Sequence, residues 1–239
     1  MNPDLLIVCA TFFEISFFLS AYPPDSKRQT QTGLRVFSGK IHEKSYDLMI
    51  TGPGVFNTAH ALTVYLEQSL PALILQTGIA GVFRETGLSL GDVAIATEEH
   101  YIHTGIATDS PINALLPFDL IESFPLSREG RYSFDPVLAE ACHGKMSREF
   151  AQKRIRVAKG PFITVSTLTS SFTQAELLYS SFSPVMEAME GAASAHVAIL
   201  YKVPMVEIRA ASNFVGERDK TKWDMEKAAK HLGVACAAI

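Results

Sequence analysis

The chain has 239 residues, of which 47% are hydrophobic and 19% charged, and its formal net charge is −4. This apolar composition excludes a disordered protein, and the acidic balance excludes a nucleic-acid binder that works by neutralising phosphates. The cysteines, Cys9, Cys142 and Cys236, are odd in number and far apart, which argues against a disulfide framework. We therefore expect a protein of a reducing, cytoplasmic compartment.

The apolar stretch at residues 5–20 could be taken for a signal peptide or a membrane span. No Lys or Arg precedes it, and Glu14 interrupts it, whereas a signal needs a positive start and an uninterrupted apolar centre. The stretch is also too short and too mixed to cross a bilayer. It predicts a buried strand followed by a helix, and no membrane partner.

Strand and helix patterns alternate along the rest of the chain. Strands are predicted at 5–10, 46–51, 72–77, 92–97, 154–167 with a break at its Gly-Pro pair, and 204–212. Helices are predicted at 12–20, 57–69 with Asn57 as N-cap, 135–150, 173–181 and 224–238, and residues 184–202 predict a strand end that becomes an Ala-rich helix. This alternation predicts a layered α/β sheet in one domain over 1–239.

Polar residues follow several predicted strands, at the edge where α/β sheets bind ligands. Glu14 follows the first strand, and it could equally be a first-turn carboxylate favoured by the helix dipole. Gly78 and Gly81 follow the strand at 72–77 and could form a tight turn. Asn213 follows the last strand and could be a helix cap or an Asx turn.

Two further groups have the same ambiguity. The hydroxyl-rich run that contains Thr169 and Ser170 could supply caps and turns. Glu190 begins the Ala-rich helix, where a carboxylate also offsets the helix dipole, and Met189 before it could fill the core. The residues alone therefore indicate only an enzyme-like α/β domain with two carboxylates at strand ends.

A metal site is the other chemistry that the sequence suggests. His100 and His103 lie beside Glu98 and Glu99, but no third ligand has a matching spacing. We expect no metal and no cofactor.

The order of the motifs resembles that of the purine nucleoside phosphorylase/hydrolase superfamily, on the branch of methylthioadenosine/S-adenosylhomocysteine nucleosidases and nearest to futalosine hydrolases of the menaquinone pathway. The stretches that carry the resemblance are CATFFEI (9–15), TGPGVFNTA (51–59), QTGIAGVF (76–83), LGDVAIAT (90–97), MEAMEGAASAHVA (186–198) and EIRAASNFVGERDKTKWD (207–224). The resemblance implies a three-layer α/β/α sandwich with a central mixed β-sheet, assembled as a homodimer. It also implies a small-molecule purine nucleoside as substrate and hydrolysis of its N-glycosidic bond.

The resemblance assigns roles on the sugar side of the substrate. Glu14 matches the general base that deprotonates the attacking water. Glu190 matches the glutamate that binds the ribose 2′- and 3′-hydroxyls and faces the developing cation. Met189 matches the thioether that packs under the sugar.

On the base side, Asn213 matches the catalytic position that handles purine N7. Thr169 and Ser170 fall near the loop that lines the base. Gly78 and Gly81 would let the backbone approach the nucleophile pocket closely. Either His103, Arg84, Arg218 or Lys220 could hold the carboxylate of a substrate tail, and the sequence leaves that choice open.

Two departures from the superfamily pattern refine the expectation. Gln76 stands where phosphorylases tend to carry a phosphate-binding Arg, which favours water as the nucleophile. Asn213 stands where adenine-releasing nucleosidases carry Asp, which favours hypoxanthine as the leaving base. The alternatives are a nucleosidase that acts on methylthioadenosine, S-adenosylhomocysteine or aminofutalosine, a phosphorylase, and a non-catalytic nucleoside-binding protein.

Overall fold

A mixed β-sheet forms the centre of the computed structural model, which describes residues 2–108, 112–122 and 124–239. Ten strands are found within these ranges. They are β1 (Leu5–Cys9), β2 (Ser26–Gln29), β3 (Arg35–Ile41), β4 (Lys44–Ile50), β5 (Leu73–Val82), β6 (Val93–Tyr101), β7 (Arg131–Ser133), β8 (Val157–Thr164), β9 (Met186–Ala188) and β10 (Met205–Phe214).

Helices cover both faces of the sheet. The described helices are α1 (Phe12–Ala21), α2 (Val55–Leu66), α3 (Pro136–Phe150), α4 (Phe172–Phe182), α5 (Gly191–Tyr201) and α6 (Met225–Ala237). Leu5, Ile7 and Cys9 of β1 share a core with α1, α3 and α6, whereas Leu6 and Val8 share one with α2 and α5. Because successive strand side chains point to opposite faces, β1 separates two helical layers. The expected three-layer α/β/α sandwich with a central mixed sheet is confirmed.

The strand order gives the sheet an open half and a closed half. The open half runs β2-β3-β4-β1-β5, with β1 parallel to both β4 and β5. Beyond β5 the path continues β9-β8-β6-β10, and β10 returns to pair with β5. The five strands β5, β9, β8, β6 and β10 therefore form a closed ring, which we call the strand ring.

Three sequence predictions about element boundaries are wrong. β5 does not end in a turn at Gly78 and Gly81 but continues to Val82, because β10 and β9 pair with this part of the strand. β8 is not broken at its Gly-Pro pair, because β6 shifts register opposite Pro161, where a backbone N–H is missing. α2 begins at Val55 after Gly54, so Asn57 is not its N-cap.

The other predicted helices and strands are found within a few residues of their expected positions. The strands β2, β3 and β7 were not predicted from the sequence. Within the described ranges no helix is long and apolar enough to cross a membrane.

Candidate active site

A cavity of about 230 Å³ lies beside the end of β1, the second half of β5 and the end of β10. Glu14, Gly81, Met189, Glu190 and Asn213 line it, so most of the predicted site residues converge on one place. The remaining described lining residues are Ala10, Thr11, Pro53, Ile79, Ala80, Leu168, Glu187, Ala188, Ser212, Arg218, Trp223 and Met225.

Glu14 is fixed by the start of α1. Thr11 caps this helix, and its backbone N–H and its hydroxyl donate to Glu14 Oε2 over 2.8 and 2.7 Å. The Ile79 N–H of β5 donates to Glu14 Oε1 over 3.0 Å. Burial raises the pKa of Glu14, against the effect of the Thr11 bond and the Arg209 charge. The carboxylate is thus both a helix-cap partner and a buried, proton-accepting group at the cavity wall.

Glu190 lies at the start of α5 and is held by backbone and charge. Gly54 lies in the loop between β4 and α2, and its N–H donates to Glu190 Oε1 over 2.9 Å. Arg209 Nη1 donates to Glu190 Oε2 over 3.1 Å, and Arg209 Nε donates to Glu207 Oε1 over 2.8 Å. Burial opposes the positive charge of Arg209, but the surrounding carboxylates Glu207, Glu190 and Glu14 outweigh it and raise the pKa of Arg209.

Behind Arg209, Glu207 meets a second fully buried carboxyl group, that of Glu99. Burial and the Glu207 charge together raise the pKa of Glu99 far above its ordinary value. A Cβ at position 191 would collide with Glu99 Oε1 and Glu207 Oε2, so Gly191 leaves room for the two side chains to meet. We assign a proton to Glu99, which donates it to Glu207, because Glu207 is the carboxylate that pairs with Arg209.

A glycine is needed at position 78 to make space for neighbouring side chains, and not to form a turn. A Cβ there would collide with Arg209 Nη1 and would lie 2.9 Å from Glu14 Oε1. The glycine therefore lets the charged group of β10 and the carboxylate of α1 approach the backbone of β5. Gly78 does not itself line the cavity.

Asn213 at the end of β10 has a fixed amide orientation. Its Nδ2 donates to the Phe214 carbonyl over 3.0 Å, and Ser212 Oγ lies 2.9 Å from its Oδ1. A reversed amide would place Oδ1 against a carbonyl oxygen, which is an acceptor facing an acceptor. One N–H and one lone pair remain for a ligand. A Cβ at Gly81 would lie 3.3 Å from Asn213 Nδ2, so this glycine also gives the side chain its space.

Thr169 and Ser170 lie outside the cavity wall. Thr169 is buried, and both its N–H and its hydroxyl donate to Glu187, which does line the cavity. Ser170 is exposed and its N–H donates to Gln174 Oε1. Thr169 thus reaches the cavity only through Glu187, and a direct contact with the base stays a prediction for both residues.

Other residues singled out in the sequence also lie elsewhere. Gln76 is fully buried against Ser194 and does not line the cavity, so it does not by itself select the nucleophile. His103 Nδ1 accepts from the Ser166 N–H. Among the described residues, no group of three His, Cys, Asp or Glu side chains could hold a metal ion.

Sequence reasoning missed Arg209, Glu207 and Glu187 as parts of the site. A signal was present, because Glu207 and Arg209 interrupt an apolar strand with charges two residues apart, on one face. Buried strand charges must be paired, so such a pattern indicates an internal ion pair. Arg218 is the one candidate tail-binding residue that lines the cavity.

The arrangement of buried carboxylates, arginine and amide can be compared with known proteins. Residues 4–239 match the Phosphorylase superfamily. The chain belongs to this superfamily. A 5′-methylthioadenosine/S-adenosylhomocysteine nucleosidase of Bacillus licheniformis is 27% identical over 209 residues, which cover 86% of this chain and 85% of the relative.

Solved structures share the fold of this superfamily member. A Helicobacter pylori 5′-methylthioadenosine/S-adenosylhomocysteine nucleosidase mutant with 5′-methylthioadenosine in its active site has a TM-score of 0.82 and 22% identity, covering 99% of this chain and 97% of that chain. The native futalosine hydrolase of Helicobacter pylori has a TM-score of 0.81 and 19% identity, covering 100% of this chain and 97% of that chain.

Proposed function

We propose that this chain is a purine-nucleoside N-glycosidase, and that its substrate is a 6-oxopurine nucleoside of the futalosine type. The observation that carries the proposal is the convergence of Glu14, Met189, Glu190 and Asn213 on one cavity. These residues supply a base, an apolar contact, a ribose acceptor and an amide, which together suit nucleoside hydrolysis. A single domain over 1–239 remains a proposal that rests on the alternation of strands and helices, and a homodimer remains one that rests on the resemblance.

At the sugar end, two carboxylates favour the positive charge that develops as the glycosidic bond breaks. Glu190 accepts hydrogen bonds from the ribose hydroxyls, and Arg209 fixes its orientation. Glu14 accepts a proton from the water that attacks C1′. Its raised pKa makes it a stronger base than an exposed glutamate, while its bonds to Thr11 and Ile79 hold its position.

At the base end, the amide oxygen and the amide N–H of Asn213 face defined positions of the base. Its Oδ1 accepts the N7–H that forms as the base leaves, and its remaining N–H donates to the carbonyl at position 6. Adenine carries an amino group at that position, so donor would face donor. The Phe214 carbonyl prevents the compensating amide flip. Asn213 therefore favours hypoxanthine over adenine as the leaving base.

The charge of the cavity favours water over phosphate as the nucleophile. A phosphate dianion near C1′ would face the carboxylates of Glu14 and Glu190. The positive charge of Arg209 is already paired with Glu190 and Glu207. Arg209 does not line the cavity, and in the described part of the wall the cation is Arg218, whose charge acts on Glu187. An uncompensated dianion in a closed site is costly, whereas water carries no such penalty.

We therefore expect the protein to release hypoxanthine from futalosine in phosphate-free buffer. The co-product should carry a free anomeric hydroxyl rather than a 1-phosphate, which mass spectrometry distinguishes. The same reaction with added phosphate is the control and should proceed at an equal rate. A strict requirement for phosphate or arsenate would contradict hydrolysis and favour a phosphorylase.

A second candidate is an adenine-releasing nucleosidase. The name of the Bacillus licheniformis relative supports it, because that protein is called a 5′-methylthioadenosine/S-adenosylhomocysteine nucleosidase. Comparing kcat/KM for futalosine, aminofutalosine and methylthioadenosine separates the two. Absence of base release from all of them would leave a non-catalytic nucleoside-binding protein.

A further inference from the structure

The cavity contains a third carboxylate, Glu187, which the proposed reaction does not use. Glu187 is 6% exposed and lines the cavity from β9. In the sheet it pairs with Gly81, and Gly81 pairs on its other side with Asn213. Glu187 and Asn213 therefore flank one glycine of β5, three residues beyond Gly78.

This position separates Glu187 from the other two carboxylates. Glu14 approaches the backbone of β5 at Gly78 and Ile79, before Gly81 along the strand. Three residues of strand span about 10 Å, so Glu14 and Glu187 approach this part of β5 from opposite ends. Glu187 thus belongs to the base end, together with Asn213.

Glu187 is held as an acceptor. The Thr169 N–H donates to its Oε1 over 3.3 Å, and the Thr169 hydroxyl donates to its Oε2. Both bonds favour the ionised side chain, as does the charge of Arg218. Each oxygen keeps a further lone pair, so the carboxylate can still accept a hydrogen bond from a ligand.

We infer that Glu187 is a specificity-determining residue that accepts the N1–H of a 6-oxopurine, an inference that rests on the proposed function. Along the edge of the base, position 1 is next to position 6. Asn213 forms the proposed hydrogen bonds to positions 7 and 6. A 6-oxopurine has a hydrogen on N1, whereas adenine has a lone pair there. An ionised carboxylate has only acceptors, so it stabilises the first base and repels the second.

The preference for 6-oxopurines depends on the protonation of Glu187. Burial raises the pKa of Glu187, against the effects of Thr169 and Arg218. The strands on either side of β9 bring Gly81 and Ile163 against it, and neither can titrate. As the pH falls through this raised value the carboxyl gains a proton, which it can donate to N1 of adenine. The preference for a 6-oxopurine should therefore increase with pH.

The test uses two nucleosides that differ only in the base, 5′-methylthioinosine and 5′-methylthioadenosine. We expect Glu187→Gln to lower kcat/KM for the inosine compound by about 10–100-fold, because the Thr169 N–H holds the amide oxygen and leaves the NH₂ group to oppose the N1–H, donor against donor. The ratio of the two kcat/KM values should become independent of pH. Glu176→Gln, the same change on the exposed side of α4, is the matched control and should behave as the unmodified protein.

Thr169→Val provides a second variant that keeps the carboxylate. It removes one donor to ionised Glu187, so the pH at which the preference changes should move upward. An unchanged base preference in Glu187→Gln, or an unchanged midpoint in Thr169→Val, would overturn the role of Glu187. If Glu187→Gln does not fold, the unmodified protein decides by its affinities for free hypoxanthine and adenine: a ratio that does not vary between pH 5 and 8 overturns it.

The proposed function can fail separately. If the unmodified protein releases no base from these two nucleosides, from futalosine or from aminofutalosine, the glycosidase proposal fails and the inference fails with it. If it releases base but Glu187→Gln retains the original preference, only the role of Glu187 is rejected.

Discussion

Glu14 combines two properties that a base acting on water needs, a raised pKa and a fixed position. We expect Glu14→Gln to lower kcat by about 10²–10⁴-fold, the usual contribution of a positioned acid or base. KM should change little, because the role proposed for Glu14 is toward the water and not toward the nucleoside. In the unmodified protein activity should fall as the pH drops through the raised pKa of Glu14, since the base must be ionised.

Steady-state kinetics across pH check this expectation, with thermal unfolding as a control for damage to the α1 cap. Thr11→Ser keeps both donors to Glu14 and should retain activity. A nearly normal kcat for Glu14→Gln would show that this side chain serves only as a helix-cap partner.

Asn213 lies against a backbone carbonyl, and this contact gives an aspartate variant a specific chemistry. In Asn213→Asp a carboxylate oxygen would replace Nδ2 at 3.0 Å from the Phe214 carbonyl oxygen. The carbonyl dipole disfavours the ionised aspartate and so favours the protonated acid. When the proton is on the oxygen that faces N7 it can be donated to N7, while the other oxygen accepts from the adenine amino group. We expect the ratio of kcat/KM for adenine over 6-oxopurine nucleosides to rise by about 10–100-fold.

The same matched nucleosides measure this ratio, and Asn57→Asp is a control on the exposed start of α2. If the adenine substrate is already preferred by the unmodified protein, Asn213 does not select the base.

At the scale of elements, local pattern predicted the regular segments well. Apolar runs located β1, β4 and β10, and Asp135 followed by Pro136 marked the start of α3 at the correct residue. The failures in β5 and β8 share one cause, because strand pairing overrode local turn chemistry. β5 passes through its glycines since neighbours on both sides bond to it, and no local pattern records those neighbours.

The edge strand β2 was missed for a related reason. All four of its residues, Ser26–Gln29, are exposed, so it has none of the apolar alternation that identifies a strand.

In the site, motif order found Glu14, Met189, Glu190 and Asn213, which line the cavity. Glu207 and Arg209 share β10, whereas Glu99 comes from β6, far earlier in the chain. Their meeting is a product of the tertiary structure alone.

At the scale of the whole molecule, the buried Glu99 should make stability depend on pH. Its pKa is raised in the folded state, so folding binds a proton that the unfolded chain releases above about pH 4.5. The stabilisation is complete below that pH and declines as the pH rises through the raised value. Glu99→Gln mimics the protonated carboxyl and removes this decline, by at most about 1.4 kcal/mol per pH unit.

Urea unfolding of both proteins between pH 5 and 8 measures the difference. Glu207→Gln is the contrasting variant, since it removes a carboxylate from buried Arg209 and should cost about 3–5 kcal/mol. Equal pH slopes for the unmodified protein and Glu99→Gln would mean that Glu99 is ionised in the fold.

The strand ring has a consequence for how this site can change. β5, β9 and β10 carry Gly81, Glu187 and Asn213, and every strand of the ring is bonded on both sides. A closed ring offers no free edge from which one strand can slide or peel away. A new preference for the base would therefore arise from substitutions of side chains on these strands, and not from movement of a strand. On the other side of the cavity, Gly54 lies in the loop that follows β4 of the open half, and such loops tolerate insertions that a paired strand does not.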